Sequence, residues 1–226
     1  MKIKDFGHVS FIGLLLSVLW IVLLIASMSG KGPTDTLDKA IAELSGQDIV
    51  GYLSYVNVVL LTLVITALFA GLYLYCKHSD PGLSLIGLVF IPVYCMLNLF
   101  SYLTQITIVP SLISSYEVAE TASMSGFLLG YMIQSWPGSL VYLLNNLAYA
   151  ILGISSIAFG LILMNRGKYA RISGLLLIIN AIACILGVIG IVGNIGALTP
   201  GSLVGGIFFI LALIPLTVMF FKEPGN

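Results

Sequence analysis

Charge is scarce in this sequence: only 8% of its 226 residues are Asp, Glu, Lys or Arg, where a soluble domain carries about a quarter. So few charges cannot coat a water-facing surface, and the outer face is expected to meet lipid. The formal net charge is zero and no basic run is present, which excludes a nucleic-acid partner, whose phosphates demand clustered Lys and Arg. Histidine is rarer still. His8 and His78 are the only two, and both fall at or beyond the boundary of an apolar run. Of three cysteines, Cys95 and Cys184 fall inside apolar runs and Cys76 at the end of one, with no metal-ligand spacing between any two. They read as buried small apolar residues, with neither a disulfide nor a metal site expected.

These gaps remove most membrane chemistry. With no charged residue inside an apolar run, a carrier built on a buried carboxylate and a pump built on a lysine Schiff base both lack their central part. Without a histidine at depth, so do haem b between helices, a His/carboxylate metal site and a Ser/His intramembrane protease. Gly153-Ile154-Ser155-Ser156 looks like a serine-nucleophile turn in composition, but with no base nearby it reads as a small-residue packing face. No glycine-rich phosphate loop with its lysine is present. No cofactor is expected, and the chain is not expected to be an enzyme; Glu117 and Glu120, on an outer connection, read as solvated surface.

Apolar length is abundant: 59% of residues are hydrophobic and the mean hydropathy is +1.13. Six runs are long enough to cross about 30 Å of hydrocarbon at 1.5 Å per residue. They span 9–28, 51–76, 82–108, 139–164, 172–195 and 202–221, with every charge outside them or at their edges. The expected fold is therefore all-α, a polytopic six-helix bundle forming one integral membrane domain over 1–226. The first run, His8 to Ser27, follows Lys2 and Lys4 and ends at Ala26-Ser27-Met28 in the manner of a secretory signal. Its apolar core of about 18 residues exceeds the 7–15 of a signal peptide, so a retained first helix is expected.

Orientation follows from Lys and Arg in the connections. Lys2, Lys4, Lys77, Arg166, Lys168, Arg171 and Lys222 fall on one side; the other has Lys31 and Lys39, with Asp35, Asp38, Glu43, Asp48, Glu117 and Glu120. Both termini are expected in the cytoplasm, with the protein in the cell membrane. The outer connections have structure of their own. After Gly30-Lys31-Gly32-Pro33 breaks the chain, Asp35 is a candidate N-cap, and Leu37, Ala40, Ile41 and Leu44 recur at helical spacing up to Gly46. This predicts a short amphipathic helix. The second outer connection, 109–138, contains Ser125 to Trp136, apolar but too short to span, which predicts a re-entrant or interfacial helix ahead of Pro137-Gly138.

Uncharged polar side chains gather toward the outer side: Asn57; Asn98, Ser101, Tyr102 and Gln105; Tyr142, Asn145, Asn146 and Tyr149; and Asn194. Groups of this kind need partners in lipid and should point into the bundle. Two readings follow. One is interhelical hydrogen bonding; the other is an outward-opening polar pocket that binds a small uncharged or lipid-like ligand through Asn57, Asn98, Tyr102, Gln105, Tyr142, Asn145, Asn146, Tyr149 and Asn194. Gly187, Gly190, Gly193 and Gly196, followed by Gly201, Gly205 and Gly206, form a small-residue face that allows close approach of another helix, in this chain, in a homo-oligomer or in a partner subunit. Pro215 is expected to kink the last span.

The layout resembles the uncharacterised prokaryotic six-helix membrane proteins of the DUF4386 family: a short basic start, a first span, a structured outer loop of about 20 residues, a long hairpin, a second outer loop and three final helices, the fifth opened by Arg171-Ile172-Ser173-Gly174. That resemblance brings no activity. The architecture is also similar to the substrate-binding S components of energy-coupling-factor vitamin transporters, which have six helices and a pocket near the outer face under the first loop. Those proteins usually carry an Ala-x-x-x-Ala surface on helix 1; here the first span has only Ala26. The expected partners are the lipid bilayer and a small-molecule or lipid ligand, in a transporter component or sensor. A structural or partner-binding subunit that uses the glycine face is the alternative.

Overall fold

The computed structural model describes residues 3–28, 35–46 and 49–222. Gly30–Pro33, Lys2, Lys31 and Asp48, which entered the reading above, lie outside them. The described residues form helices without strands: α1 (Asp5–Met28), α2 (Leu37–Ser45), α3 (Ile49–Cys76), α4 (Pro81–Tyr116), α5 (Ala122–Met132), α6 (Leu140–Met164), α7 (Lys168–Val192) and α8 (Gly201–Lys222). Six of them, all but α2 and α5, are long and apolar enough to cross a membrane. The chain is an all-α polytopic membrane protein. Lipid favours this solution because helices satisfy their own backbone groups.

Polar side chains set the helix starts. Asp80 accepts the Leu83 N–H at 2.9 Å ahead of Pro81, and Ser139 accepts that of Tyr142 at 2.9 Å. At α2 the cap is Thr36, which accepts the Lys39 N–H at 3.3 Å; Asp35, the expected cap, instead pairs with the Lys39 ammonium at 2.6 Å. The largest departure from expectation is α4. It runs through Pro92 and Pro110 to Tyr116 instead of ending at 108. Its 36 residues extend about 54 Å, well beyond a hydrocarbon core. The projecting end serves as a post on which the two short helices pack. Ala40 and Ile41 of α2, Val109 and Ile113 of α4, and Leu129 and Ile133 at α5 form a second, smaller core there. Proline removes one hydrogen bond and clashes in the preceding turn, but the apolar surface buried against α2 and α5 holds the helix together beyond it.

The long helices alternate in direction. The chain start, the α3–α4 turn, the α6–α7 turn and the end of α8 therefore share one end, termed terminal; the opposite end is distal. Lys4, Lys77, Arg166, Lys168, Arg171 and Lys222 lie at the terminal end, and Lys39 at the distal end. Terminal cations tie the turns together: the Arg166 guanidinium donates to the Tyr75 carbonyl at 3.3 Å and to Ser79 and stacks 4.3 Å from the Tyr75 ring, while Lys222 lies 4.6 Å from the Tyr169 ring.

In cross-section the long helices form a ring. α1 packs on α3 and α8, α3 on α4, α4 on α6, α6 on α7 and α7 on α8, while α3 with α6 and α6 with α8 barely touch. In the terminal half the ring is filled by Phe69, Phe159, Phe209, Leu72, Leu163, Leu216 and Phe220, among others. Phe159 fits there because Gly87 opposite it has no side chain: a Cβ at Gly87 would sit 2.6 Å from the ring. α8 is unbroken at Pro215.

Candidate ligand cavity in the distal half

The polar residues of the distal half separate into two groups. The first is a relay that crosses four elements. Thr62 on α3 donates to the Val58 carbonyl at 2.8 Å and accepts from the Asn98 amide on α4 at 2.6 Å. The Asn98 oxygen accepts from Asn145 on α6 at 3.1 Å, and the Asn145 oxygen accepts from Gln134, beyond α5, at 3.1 Å. Gln105 on α4 locks the same segment from the other side, donating to the Met132 carbonyl at 2.9 Å and accepting the Gln134 N–H at 3.0 Å. Each internal amide donates one way and accepts the other. This chain holds the helices in register, while two of its members, Asn145 and Gln134, also border the cavity described next.

The second group faces a cavity of about 480 Å³ in the middle of the ring, within the size range of small-molecule sites. It is lined by α1 (Ser17, Trp20, Leu24), α3 (Val58, Leu61, Ile65), α4 (Tyr102), Gln134, α6 (Tyr142, Asn145, Asn146, Tyr149, Leu152), α7 (Asn180) and the start of α8 with its approach (Thr199, Pro200, Ser202, Leu203, Gly206, Phe209, Ile210). No charged side chain and no histidine is among them. Most of the wall is apolar, and its polar groups are incompletely used. Tyr102 and Tyr149 share one hydrogen bond between hydroxyls at 3.2 Å, and the Tyr102 hydroxyl also has Asn145 as a hydrogen-bond neighbour. Asn146 is only 6% exposed; its amide donates to the Tyr142 carbonyl at 2.8 Å, while its oxygen has no partner among the described residues and is not sealed off. In a residue so buried, that oxygen can face only the cavity. The Tyr142 hydroxyl likewise makes no hydrogen bond within the protein and stays accessible. Beside the cavity, the Asn180 oxygen and the Ser202 hydroxyl are sealed and unpartnered, although the Asn180 amide donates to the Gly205 carbonyl at 2.9 Å.

Of the residues singled out from sequence, Tyr102, Tyr142, Asn145, Asn146 and Tyr149 therefore line one cavity. Asn98 and Gln105 are buried behind it in the relay, and Ser101 bonds within its own helix. Asn57 belongs to another seam, where its amide donates to the Leu16 carbonyl of α1 at 3.0 Å. Asn194 is a correction: it lies in the exposed turn after α7 with φ +52°, away from the cavity. Asparagine is one of the few non-glycine residues that tolerate that conformation, so its role is to turn the chain. Sequence reasoning missed Asn180 and Gln134. A lone asparagine in the middle of an apolar span was a usable signal for the first; nothing local marks the second.

The glycine face is divided. A Cβ at Gly187 would meet the Ser202 nitrogen at 2.8 Å and one at Gly190 the Leu198 Cβ at 2.6 Å, while Gly201 and Gly205 lie directly on the α7 backbone and Cys184. These four join α7 to α8 within the chain, whereas Gly196 and Gly206 of the same run meet nothing within 4 Å. None of the residues lining the cavity comes from α2, which packs on α4 instead. Glu117 and Glu120 are exposed on the α4–α5 connection. No protein-family model, curated protein or solved structure matches this chain.

Proposed function

We propose that this membrane protein binds a small uncharged ligand in the distal cavity, as the binding unit of a transport or sensing system. The observation that supports this reading is the oxygen of Asn146, accessible and without a partner inside a residue that is otherwise buried. A buried polar group left unpaired carries a desolvation cost of about 1–3 kcal/mol, which a ligand donor would offset. The Tyr142 hydroxyl supplies a donor beside it, with the Tyr102–Tyr149 pair on the same wall. Among the described residues the wall carries no ionised group, which favours neutral ligands, because no such residue compensates the desolvation of a charge. The excess of Lys and Arg at the terminal end supports an orientation with that end in the cytoplasm and the cavity in the outer half of a cell membrane.

Native mass spectrometry of the protein released from lipid nanodiscs tests the reading. A stoichiometric adduct should appear on the parent protein and on Asn57→Leu, whose side chain is outside the cavity, and should be lost from Asn146→Leu. A bare parent mass, or an adduct indifferent to Asn146, would sink it.

A further inference from the structure

We infer that the cavity is loaded from the membrane itself, through a gap between the distal halves of α1 and α8, and that its occupant is an uncharged single-chain amphiphile with a hydrogen-bonding headgroup. The inference rests on the cavity reading above and adds the route and the ligand class.

The gap follows from where α8 is held. Every hydrogen bond and ring contact between α1 and α8 joins the terminal stretches 6–10 and 213–221: Ser10 donates to the Leu213 carbonyl at 3.3 Å and accepts from Thr217 at 2.9 Å, and Phe6 and His8 meet Phe220 and Phe221. At its other end α8 is drawn against α7, because Gly187, Gly201 and Gly205 let the two backbones approach. α1 meanwhile follows α3 as far as Leu16, where Asn57 bonds its carbonyl. Two helices pinned together at one end and held to different neighbours at the other must diverge.

The divergence is open toward lipid. On α8, Leu203, Gly206 and Ile210 form a stripe at helical spacing that lines the cavity while remaining partly accessible; Leu203 is 53% exposed. On α1, Trp20 and Leu24 line the cavity and are partly accessible in the same way. A Cβ built at Gly206 meets nothing within 4 Å. Both rims stay open over several turns, so the opening runs along the helices, beside the acyl chains. A ligand that enters there needs an apolar body, and a wall containing Asn146, Tyr142 and the tyrosine pair needs a head that both donates and accepts, such as a hydroxyl or an amide. About 480 Å³ accommodates a head and the upper part of one chain, with the remainder of the tail lying in the gap.

The test uses Trp20 as reporter. Replacing Trp136 by Phe leaves it the only tryptophan. The full-length protein is reconstituted in phosphatidylcholine vesicles and titrated with a monoacylglycerol brominated on its acyl chain, bromine being a contact quencher of indole; brominated phosphatidylcholine supplies the level due to surrounding lipid. Saturable quenching above that level is expected. It should fall several-fold in Asn146→Leu, which removes the headgroup partner, and in Gly206→Phe, which plugs open space; Gly206→Leu is a smaller plug expected to act in the same direction. Saturable quenching that survives both plugs but not Asn146→Leu would overturn the lateral route and leave the cavity reading intact. Absence of any saturable component in the parent would overturn the amphiphile, and an adduct of another chemical class by native mass spectrometry would then show that the cavity binds something else.

Discussion

At the level of Phe69 the ring of helices is filled: three phenylalanines meet within about 6 Å between ring centres, Phe69 stacking on Phe209 and meeting Phe159 edge-on. On the distal side of this layer, from Ile65 and Phe209 onward, the same helices line the cavity. Here the wall carries a saturated amide relay on the α3–α4–α6 side and incompletely paired groups on the α6–α7–α8 side. Helix packing in lipid lacks a hydrophobic drive, since the surrounding tails are as apolar as leucine, so close contact and hydrogen bonds must hold the bundle. The terminal half supplies the contact and the relay supplies the hydrogen bonds. The cavity wall is more loosely packed, and hydrogen bonds such as Tyr102 to Tyr149 and Asn180 to Gly205 leave polar atoms beside them unpaired.

Four substitution experiments test that contrast. The largest effect is expected from Phe69→Ala, which empties a fully buried site and should cost about 3–5 kcal/mol; Ile210→Ala, which borders space that is already empty, should cost about 1 kcal/mol or less. Equal losses in thermal unfolding in a fixed detergent would remove the distinction between the halves. Next come the adjacent glycines. Gly205→Val must displace Cys184 and the Asn180 carbonyl, an overpacking cost of about 1–3 kcal/mol, whereas Gly206→Val enters open space and should leave the midpoint unchanged. The neighbouring asparagines sharpen the distinction further. Asn145→Leu strands the Asn98 oxygen and the Gln134 amide and should destabilise by about 1–2 kcal/mol. Asn146→Leu loses one bond within its own helix and should cost no more than about 0.6 kcal/mol while abolishing the adduct. The smallest effect is Asp35→Ala at the exposed Lys39 pair, about 0.3 kcal/mol and erased by salt.

Legibility followed the same division. The start of α6 is readable because Ser139 caps it beside Pro137-Gly138, and the short α2 because its apolar residues repeat at helical spacing. The extension of α4 was not readable, since Pro110 signals an end and only the packing of Ile41 and Leu129 against Val109 and Ile113 overrides it. Asn145 and Asn146 are the sharpest case. Adjacent, identical and both buried, they differ by one step of about 100° around the helix; that step aims one at Asn98 and the other at empty space. The glycine run likewise permitted an intermolecular face or an internal seam, and the hairpin between α7 and α8 places Gly187, Gly190, Gly201 and Gly205 in an internal seam.

By itself, the sequence determined that this chain crosses the membrane in six helices and that its unusual polar groups lie toward one side, because hydropathy and charge act residue by residue and lipid penalises each unpaired group where it stands. It also determined that those groups are uncharged. Which of them satisfy one another, and that the long helices enclose a cavity in the distal half, was decided by the tertiary structure. Hydrogen-bond saturation and empty volume are properties of relative helix position, and no single helix encodes them.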